Sequence, residues 1–242
     1  MSYNNYINLK DMLDDPIYRI MPIHRFLQLL EDKKLTLVKP KKWDDPFENA
    51  LLNCEVETSD GERGSFAAKD SVYGQCWTFH RETDAMWRIY SQNKDGIRVT
   101  TTPRKLLTAL REAYPEHHRH RCFIGKVSYL PKVKLLDKLQ AINLLNPNGS
   151  GIAESLLYKR TEFKHENEIR LIYSGKDDDC ISDIFQFDID PTNLLDGLLF
   201  DPRMDENLRQ AYKLAIMDKG CTTRIRRSSL YDAPKGLTFK IP

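Results

Sequence analysis

Tyr158 to Tyr173 reads YKRTEFKHENEIRLIY, and the last six residues decide the fold. From Glu168 to Tyr173 charged and apolar residues alternate at period two, so Glu166, Glu168 and Arg170 are expected to share one face of a strand and Ile169 and Leu171 the other. Same-face neighbours on a strand lie roughly 7 Å apart, so two carboxylates and a guanidinium in this row can reach one small ligand, a sugar hydroxyl being a natural partner. The same pattern fits a solvated strand face whose alternating charges satisfy one another. Both readings stand at this point.

Working back from this stretch, Ile152–Thr161 and Lys134–Leu145 read as helices separated by a flexible turn, NPNGSG at 146–151, and Phe123–Leu130 alternates as a strand. His117–Arg121 (HHRHR) is the densest basic cluster. With no carboxylate or cysteine at a ligand spacing, it suits phosphate better than a metal, and such loop histidines are usually solvated. Before it, Thr102-Pro103 opens a helix with a Leu106, Ala109, Leu110, Ala113 and Tyr114 stripe, and Gly96–Thr100 reads as a strand. Val72–Tyr90 reads as a strand through Phe79, a polar turn, and a helix capped by Thr83 or Asp84 that carries Met86, Trp87 and Tyr90. Nearer the N-terminus come a strand at Ile17–Met21 and a helix opened by Pro22 with Ile23, Phe26, Leu27 and Leu30 on one stripe. A strand at Leu35–Lys39 and the turn Trp43-Asp44-Asp45-Pro46-Phe47-Glu48 follow.

Beyond Tyr173 the pattern gives strands at Ile181–Ile189 and Leu198–Phe200, a helix from about Asp205 to Asp218 stopped by Gly220, and strands at Thr222–Ser228 and Leu237–Ile241. Arg224, Arg226 and Arg227 make the first of these last two basic, a feature more often of a solvated edge than of a binding site. No linker or repeat interrupts the chain. We therefore expect a polar N-terminal tail over 1–16 and one α+β domain over 17–242, a mixed, mostly antiparallel sheet with inserted helices.

The 242 residues, five scattered cysteines without a CxxC pair and net charge of +2 describe a chain able to bury a full core in a reducing compartment, without disulfide framework or zinc knuckle. No leader-like segment and no apolar run of membrane-spanning length is present, so a soluble cytoplasmic protein is expected. GxxxxGK[ST], GxGxxG after a strand, GxSxG and HExxH are all missing, which removes the usual parts for nucleotide hydrolysis, hydride transfer, serine hydrolysis and zinc proteolysis.

Four blocks carry a resemblance: Tyr18-Arg19, Trp43 to Glu48, Cys76-Trp77-Thr78-Phe79 with Met86-Trp87-x-x-Tyr90, and Glu166-x-Glu168-x-Arg170. In order and spacing they resemble a large bacterial domain-of-unknown-function family whose pattern is a first-strand tyrosine with a basic residue, NDPFE, CFS with MWxxY, and ExExR. Asp44 replaces the usual Asn and Thr78 the usual Ser. More remotely the blocks look like the ADP-ribosyltransferase superfamily.

That resemblance implies an ADP-ribosyltransferase-like fold with NAD as substrate and no metal. It implies Glu168 at the nicotinamide ribose, Glu166 orienting or deprotonating the acceptor nucleophile, Arg19 with Tyr18 and Thr78 on the ribose or diphosphate, and Trp87 or Tyr90 stacked on the nicotinamide. Each position has a structural reading beside it. Arg19 can pair with the acidic strand, Trp87 can be core, Thr78 can satisfy a strand backbone, and the turn at Asp45–Glu48 can be bracing. The acceptor implied is a macromolecule, RNA or DNA before protein, with His117–Arg121 and Arg224–Arg227 as phosphate contacts. A toxin of a toxin–antitoxin or phage-defence system, held by an antitoxin protein, fits the same resemblance. A non-catalytic nucleotide- or partner-binding module and an NAD glycohydrolase are the alternatives.

Overall fold

The computed structural model describes residues 5–57, 60–114, 116–175, 180–236 and 238–240. The elements begin with β1 (Tyr6–Ile7), β2 (Ile17–Pro22), α1 (Ile23–Asp32), β3 (Lys34–Val38), β4 (Glu55–Glu57), β5 (Arg63–Ser65) and β6 (Val72–Thr78). Then come α2 (Asp84–Tyr90), β7 (Gly96–Thr101), α3 (Pro103–Glu112), β8 (Cys122–Lys126), β9 (Ser128–Leu130), α4 (Lys132–Gln140), α5 (Ser150–Ser155) and β10 (Tyr158–Arg160). The last are β11 (Glu168–Ser174), β12 (Ile184–Asp188), α6 (Pro191–Leu194), β13 (Gly197–Phe200), α7 (Glu206–Asp218) and β14 (Ile225–Arg227).

Local chemistry sets most of these boundaries. Thr83 caps α2 by accepting from the Met86 N–H at 3.1 Å, and Thr102 caps α3 with Pro103 at its first position. α1 buries Ile23, Phe26, Leu29 and Leu30 and ends where Lys33 turns left-handed at φ 51°.

β1, β8, β11, β6, β2, β7, β13 and β14 lie side by side in that order, with β3 and β12 branching from β6. β1 joins β8 and β14 joins β13 in parallel, while the central pairings are antiparallel. The expected α+β class with a mostly antiparallel sheet is the one observed. β6 is bordered by β11 along its whole length on one side and shared on the other, where Val38 of β3 faces Gly74 and Tyr18 of β2 faces Thr78. β2 and β3 therefore diverge from a common neighbour and leave a cleft between them. Directly opposed residues share a face, so Glu168, Thr78, Tyr18, Thr100 and Gly197 form one row across five strands. At about 4.8 Å per strand that row is roughly 19 Å long.

The larger core lies on the opposite face, with Leu37, Tyr73, Trp77, Ile97, Ile124, Ile169 and Leu171 among its members. A second cluster, on the face that carries the Glu168 row, packs Val72, Phe123 and Ile172 under Ile152, Ala153, Leu156 and Leu157. Gly74 has a packing role there: a Cβ would stand 2.6 Å from the Trp43 ring, so only glycine lets that indole lie against the sheet.

Several expectations are corrected. Of the tail expected over 1–16, residues 1–4 lie outside the described residues, while Tyr6 and Ile7 pair with β8 and Leu9 is fully buried in the core. The helix expected over Ile152–Thr161 stops at Ser155, and the chain then extends as β10 beside β9. The extension puts Lys159 inside against carboxylates, a tertiary gain that outweighs local helix preference. The second helix ends at Gln140 rather than Leu145, and the basic C-terminal strand is confined to Ile225–Arg227. The strand expected at Leu237–Ile241 has its two ends outside the described residues, and 238–240 are not strand. No helix among the described residues is long and apolar enough to cross a membrane.

Candidate active site

β11 begins at Glu168, where the alternation starts it, but Glu166, expected on the same strand face, closes a 3-10 turn over Thr161–Glu166 instead. Asn167 links them at φ 44°, a left-handed conformation that asparagine tolerates. Thr78 fixes this linker. Its hydroxyl donates to the Glu166 carbonyl at 2.6 Å and accepts from the His80 N–H at 3.0 Å, while the Phe79 N–H donates to the Asn167 carbonyl at 3.1 Å. The Thr78 hydroxyl is thus occupied in holding backbone, and the reading that gave it to NAD is corrected on that ground.

All seven residues of β11 are buried, which removes the solvated-face reading. The acidic row is instead one side of a buried ionic cluster. Arg170, with no exposed surface, donates from Nε to Glu168 at 2.8 Å, from Nη1 to the Leu156 carbonyl at 2.6 Å, and from Nη2 to both Glu168 and Glu48. Its guanidinium lies 4.5 Å from the Trp43 ring centroid. Lys159 reaches Glu48 at 2.9 Å, Glu168 at 3.6 Å and Glu166 at hydrogen-bond contact. Asp45, in the same turn as Glu48, accepts from the Phe47 N–H and from Arg160 at 3.1 Å each. The Trp43–Glu48 turn is therefore bracing for the carboxylate row, and Arg170 is spent within the protein instead of reaching a ligand.

Three carboxylates against two cations leave this cluster one positive charge short, and the shortage falls unequally. Burial opposes ionisation of Glu168, but Arg170 and Lys159 outweigh it and hold its carboxyl below the usual carboxylate range. Burial and the neighbouring Glu168 anion push the Glu166 carboxyl up, with Lys159 only partly offsetting them. Two adjacent acids driven in opposite directions are the arrangement that assigns one as a fixed anion and the other as a proton carrier.

Tyr18, Arg19, Thr78, Tyr90, Glu166 and Glu168 line one small cavity of about 90 Å³, together with Cys76, Trp77, Ile20 and Met86. Burial raises the Cys76 thiol to about 12, so it is no nucleophile. The cavity shares Arg19, Ile20 and Tyr90 with the cleft between β2 and β3, a trough of about 570 Å³. Arg19 stands where the two meet. Among the described residues it has no carboxylate partner, and burial lowers its pKa against weaker support from Cys76 and Tyr90. A half-buried guanidinium with no carboxylate partner among the described residues, at the junction of a cavity and a trough, is suited to an anionic ligand.

Trp87 is not in the cavity. It is fully buried with Ile20, Met86 and Leu199, and its indole N–H donates to Glu82 at 2.9 Å, so its expected stacking role is corrected to packing. Tyr90, 40% exposed at the end of α2, is the aromatic that faces the opening. The His117–Arg121 cluster is displaced as well. Arg121 donates to the carbonyls of Ser174 and Gly175, at the far end of β11 from Glu168, roughly 20 Å along the strand. The side chains of His117 and His118 lie outside the described residues. Glu48 and Lys159 are the members of the ionic cluster to which the sequence pattern assigns no role. Glu48 had one signal, its place in the quoted turn; Lys159 had none.

Residues 86–171 match the family model described as "Protein of unknown function (DUF2971)". The resemblance to a domain-of-unknown-function family is borne out over that segment. It spans Met86, Trp87 and Tyr90 as well as Glu166, Glu168 and Arg170, and leaves Arg19 and Glu48 outside. No curated protein matches the chain. Among solved structures the chain is similar to Thermus sp. 2.9 DarT in complex with carba-NAD+, at 13% identity and TM-score 0.40, over 89% of this chain and 96% of that one. The same protein in complex with NAD+ matches at 12% identity and TM-score 0.41, over 89% and 96% of the two chains. Its complex with ADP-ribosylated ssDNA matches at 13% identity and TM-score 0.41, over 89% and 94%.

Proposed function

We propose that this chain is an NAD-dependent ADP-ribosyltransferase that modifies a macromolecule, nucleic acid before protein, and that it serves in the cytoplasm as the toxin of a toxin–antitoxin or phage-defence pair. The observation that carries the chemistry is the single cavity in which an ionised Glu168 stands beside a Glu166 of raised pKa, with unpaired Arg19 and Tyr90 at its mouth. Glu168 faces the positive charge that develops at the ribose anomeric carbon as its bond to nicotinamide breaks, and the nicotinamide leaves neutral with the bonding pair. Glu166 takes the proton of the acceptor nucleophile as the new bond to that carbon forms. Arg19 binds the diphosphate, and the trough beyond it takes the remainder of the dinucleotide. No group in this scheme needs a metal. An antitoxin protein would keep such an activity in check in its own cell.

The second reading, a binding module without turnover, is favoured by one observation, the engagement of Glu168 by both Arg170 and Lys159. The test is incubation of the protein with adenylate-labelled NAD and separate pools of RNA, single-stranded DNA and protein, following free nicotinamide and label in each pool. Label in a macromolecular pool supports the transferase. Nicotinamide release to water alone makes it an NAD glycohydrolase, and NAD binding without release makes it a binding module.

Two further outcomes follow from the cavity. Tyr90→Ala is expected to weaken NAD binding roughly 3- to 30-fold while Tyr90→Phe retains it, the range of one cation–π contact; titration calorimetry reads both, and equal affinities would remove Tyr90 from the site. Transfer rate is expected to rise with pH as the Glu166 carboxyl, whose pKa is raised, gives up its proton. That limb of the pH–rate profile should disappear in Glu166→Gln, and an unchanged profile would take the base role from Glu166.

A further inference from the structure

A second depression lies on the same face, on the other side of Tyr18 from the carboxylate cavity. It encloses about 450 Å³, and Arg81, Arg98, Arg224, Arg226 and Arg227 line it. The sheet register explains why they converge. Arg98 of β7, Leu199 of β13 and Arg226 of β14 are directly opposed, so the two guanidinium stems rise from one row, two strand spacings or roughly 10 Å apart. Gly197, at the end of the Glu168 row, contributes no side chain and leaves the floor open.

The charge is only partly offset internally, by Asp232 on Arg227 and by Glu82 facing Arg98. Arg227 pairs with Asp232 at 2.6 Å, and Asp196 on the rim is taken by Lys105. Glu82 accepts from Trp87 and Ser228. Among the described residues Arg81, Arg224 and Arg226 have no carboxylate within ion-pair distance, and Arg224 and Arg226 are exposed. Arg98 is the telling member. It is 8% exposed, stacks 4.6 Å over the Tyr18 ring and donates to the Arg81 carbonyl, yet its buried Nε has no hydrogen-bond partner among the described residues. A buried guanidinium donor left unsatisfied costs stability unless a ligand completes it.

We propose that this arginine cleft is a phosphate-binding site, separate from the NAD cavity, that holds the backbone of a nucleic-acid strand several nucleotides from the position presented to Glu168. The ligand class follows from donor chemistry, since converging guanidinium forks match phosphate oxygens. A strand is favoured over a free nucleotide by distance. The row from Glu168 to the cleft floor at Gly197 is roughly 19 Å, which at the roughly 3.4 Å rise of a base-stacked strand is at most five or six nucleotides and fewer for an extended one. The purpose of the site rests on the transferase reading, but its binding does not.

Arg226 is exposed on the edge strand β14 and Arg224 is exposed just before it, so the Arg224→Gln/Arg226→Gln pair should fold as the parent does, which a thermal melt checks. With a fluorescent 12-nucleotide single strand and no NAD, anisotropy titrations at several salt concentrations should show binding weakened at least about tenfold in the double variant. The slope of log affinity against log salt should fall by roughly 1.4, two phosphate contacts' worth on a single strand. Unchanged affinity and slope in a folded double variant, or no binding by the parent protein at low salt, would overturn the site. Competition by ATP at the same phosphate concentration as effectively as by the unlabelled strand would overturn the strand assignment. Strand binding that depends on these arginines, in a protein that releases no nicotinamide, would uphold the site and sink the transferase.

Discussion

Glu168→Gln is expected to lower the rate of nicotinamide release by roughly two to four orders of magnitude while NAD binding changes little, the scale of removing one positioned electrostatic or acid–base group. The loss is electrostatic. The glutamine keeps the shape of the side chain and an oxygen that accepts from Arg170, but it loses the charge that Arg170 and Lys159 hold in the ionised form. A carboxylate preorganised in this way needs no reorientation when positive charge develops beside it, and an amide cannot supply the same field. Because the fold holds the Glu168 carboxyl below its ordinary range, its ionised form contributes stability that the neutral variant lacks, and its melting temperature is expected to fall as well, so rates belong well below that temperature and NAD affinity is measured alongside. A rate within tenfold of the parent, in a folded variant that binds NAD, would move the protein to the class of binding modules. Glu166→Gln separates the two acids further, since it should slow transfer to an acceptor more than nicotinamide loss to water.

Much of this site is legible in the sequence, and the part that is not has a physical cause. Period-two alternation finds β11, and helical periodicity with caps finds α1, α2 and α3, because those signals are local. Tyr18, Arg19, Thr78, Tyr90, Glu166 and Glu168 are brought to one cavity as the motif order implies. Burial is what the pattern misreads. Alternation usually means one wet face, yet Glu168 and Arg170 are buried because Glu48, 122 positions from Arg170, folds over them on a turn that also lays Trp43 on Gly74. Lys159 is hidden by its neighbours, since Ile152 to Leu157 is an apolar run at helical spacing and gives no sign that the chain extends at Tyr158. Trp87 and Tyr90 sit three apart on one short helix, and only the packing of Ile20 and Leu199 decides which is core and which faces the opening. The arginine cleft is half legible for the same reason: Arg224–Arg227 stand out as a basic run, but Arg98 joins Arg226 through sheet register rather than through spacing.

The other large effect is expected at Arg170, and there it is on stability. Arg170→Met removes the cation that Glu48 and Glu168 share and leaves these two buried carboxylates and half-buried Glu166 with Lys159 alone. Breaking a buried pair by removing one partner typically costs about 3–5 kcal/mol, chiefly the cost of the charges left behind. For a chain of this size that is a fall of roughly 6–20 °C in melting temperature. The pH dependence distinguishes this cause from lost packing. In the parent the folded Glu168 carboxyl titrates below its unfolded value, so its contribution is present above the ordinary carboxylate range and is lost as pH falls through that lowered value. In Arg170→Met the orphaned carboxylates are raised instead, so acid neutralises them and stabilises the variant relative to its own value at neutral pH. The gap between the two proteins should therefore be widest near pH 7 to 8 and narrow toward pH 4. Thermal melts across that range read it directly. A gap that stays constant with pH would mean that Arg170 serves by volume under Trp43, and a gap below about 1 kcal/mol, the scale of an exposed pair, would mean that water reaches the cluster. In either case the lowered Glu168 on which the transferase chemistry depends would lose its physical basis, so the stability of one buried arginine tests the electrostatics of the neighbouring cavity.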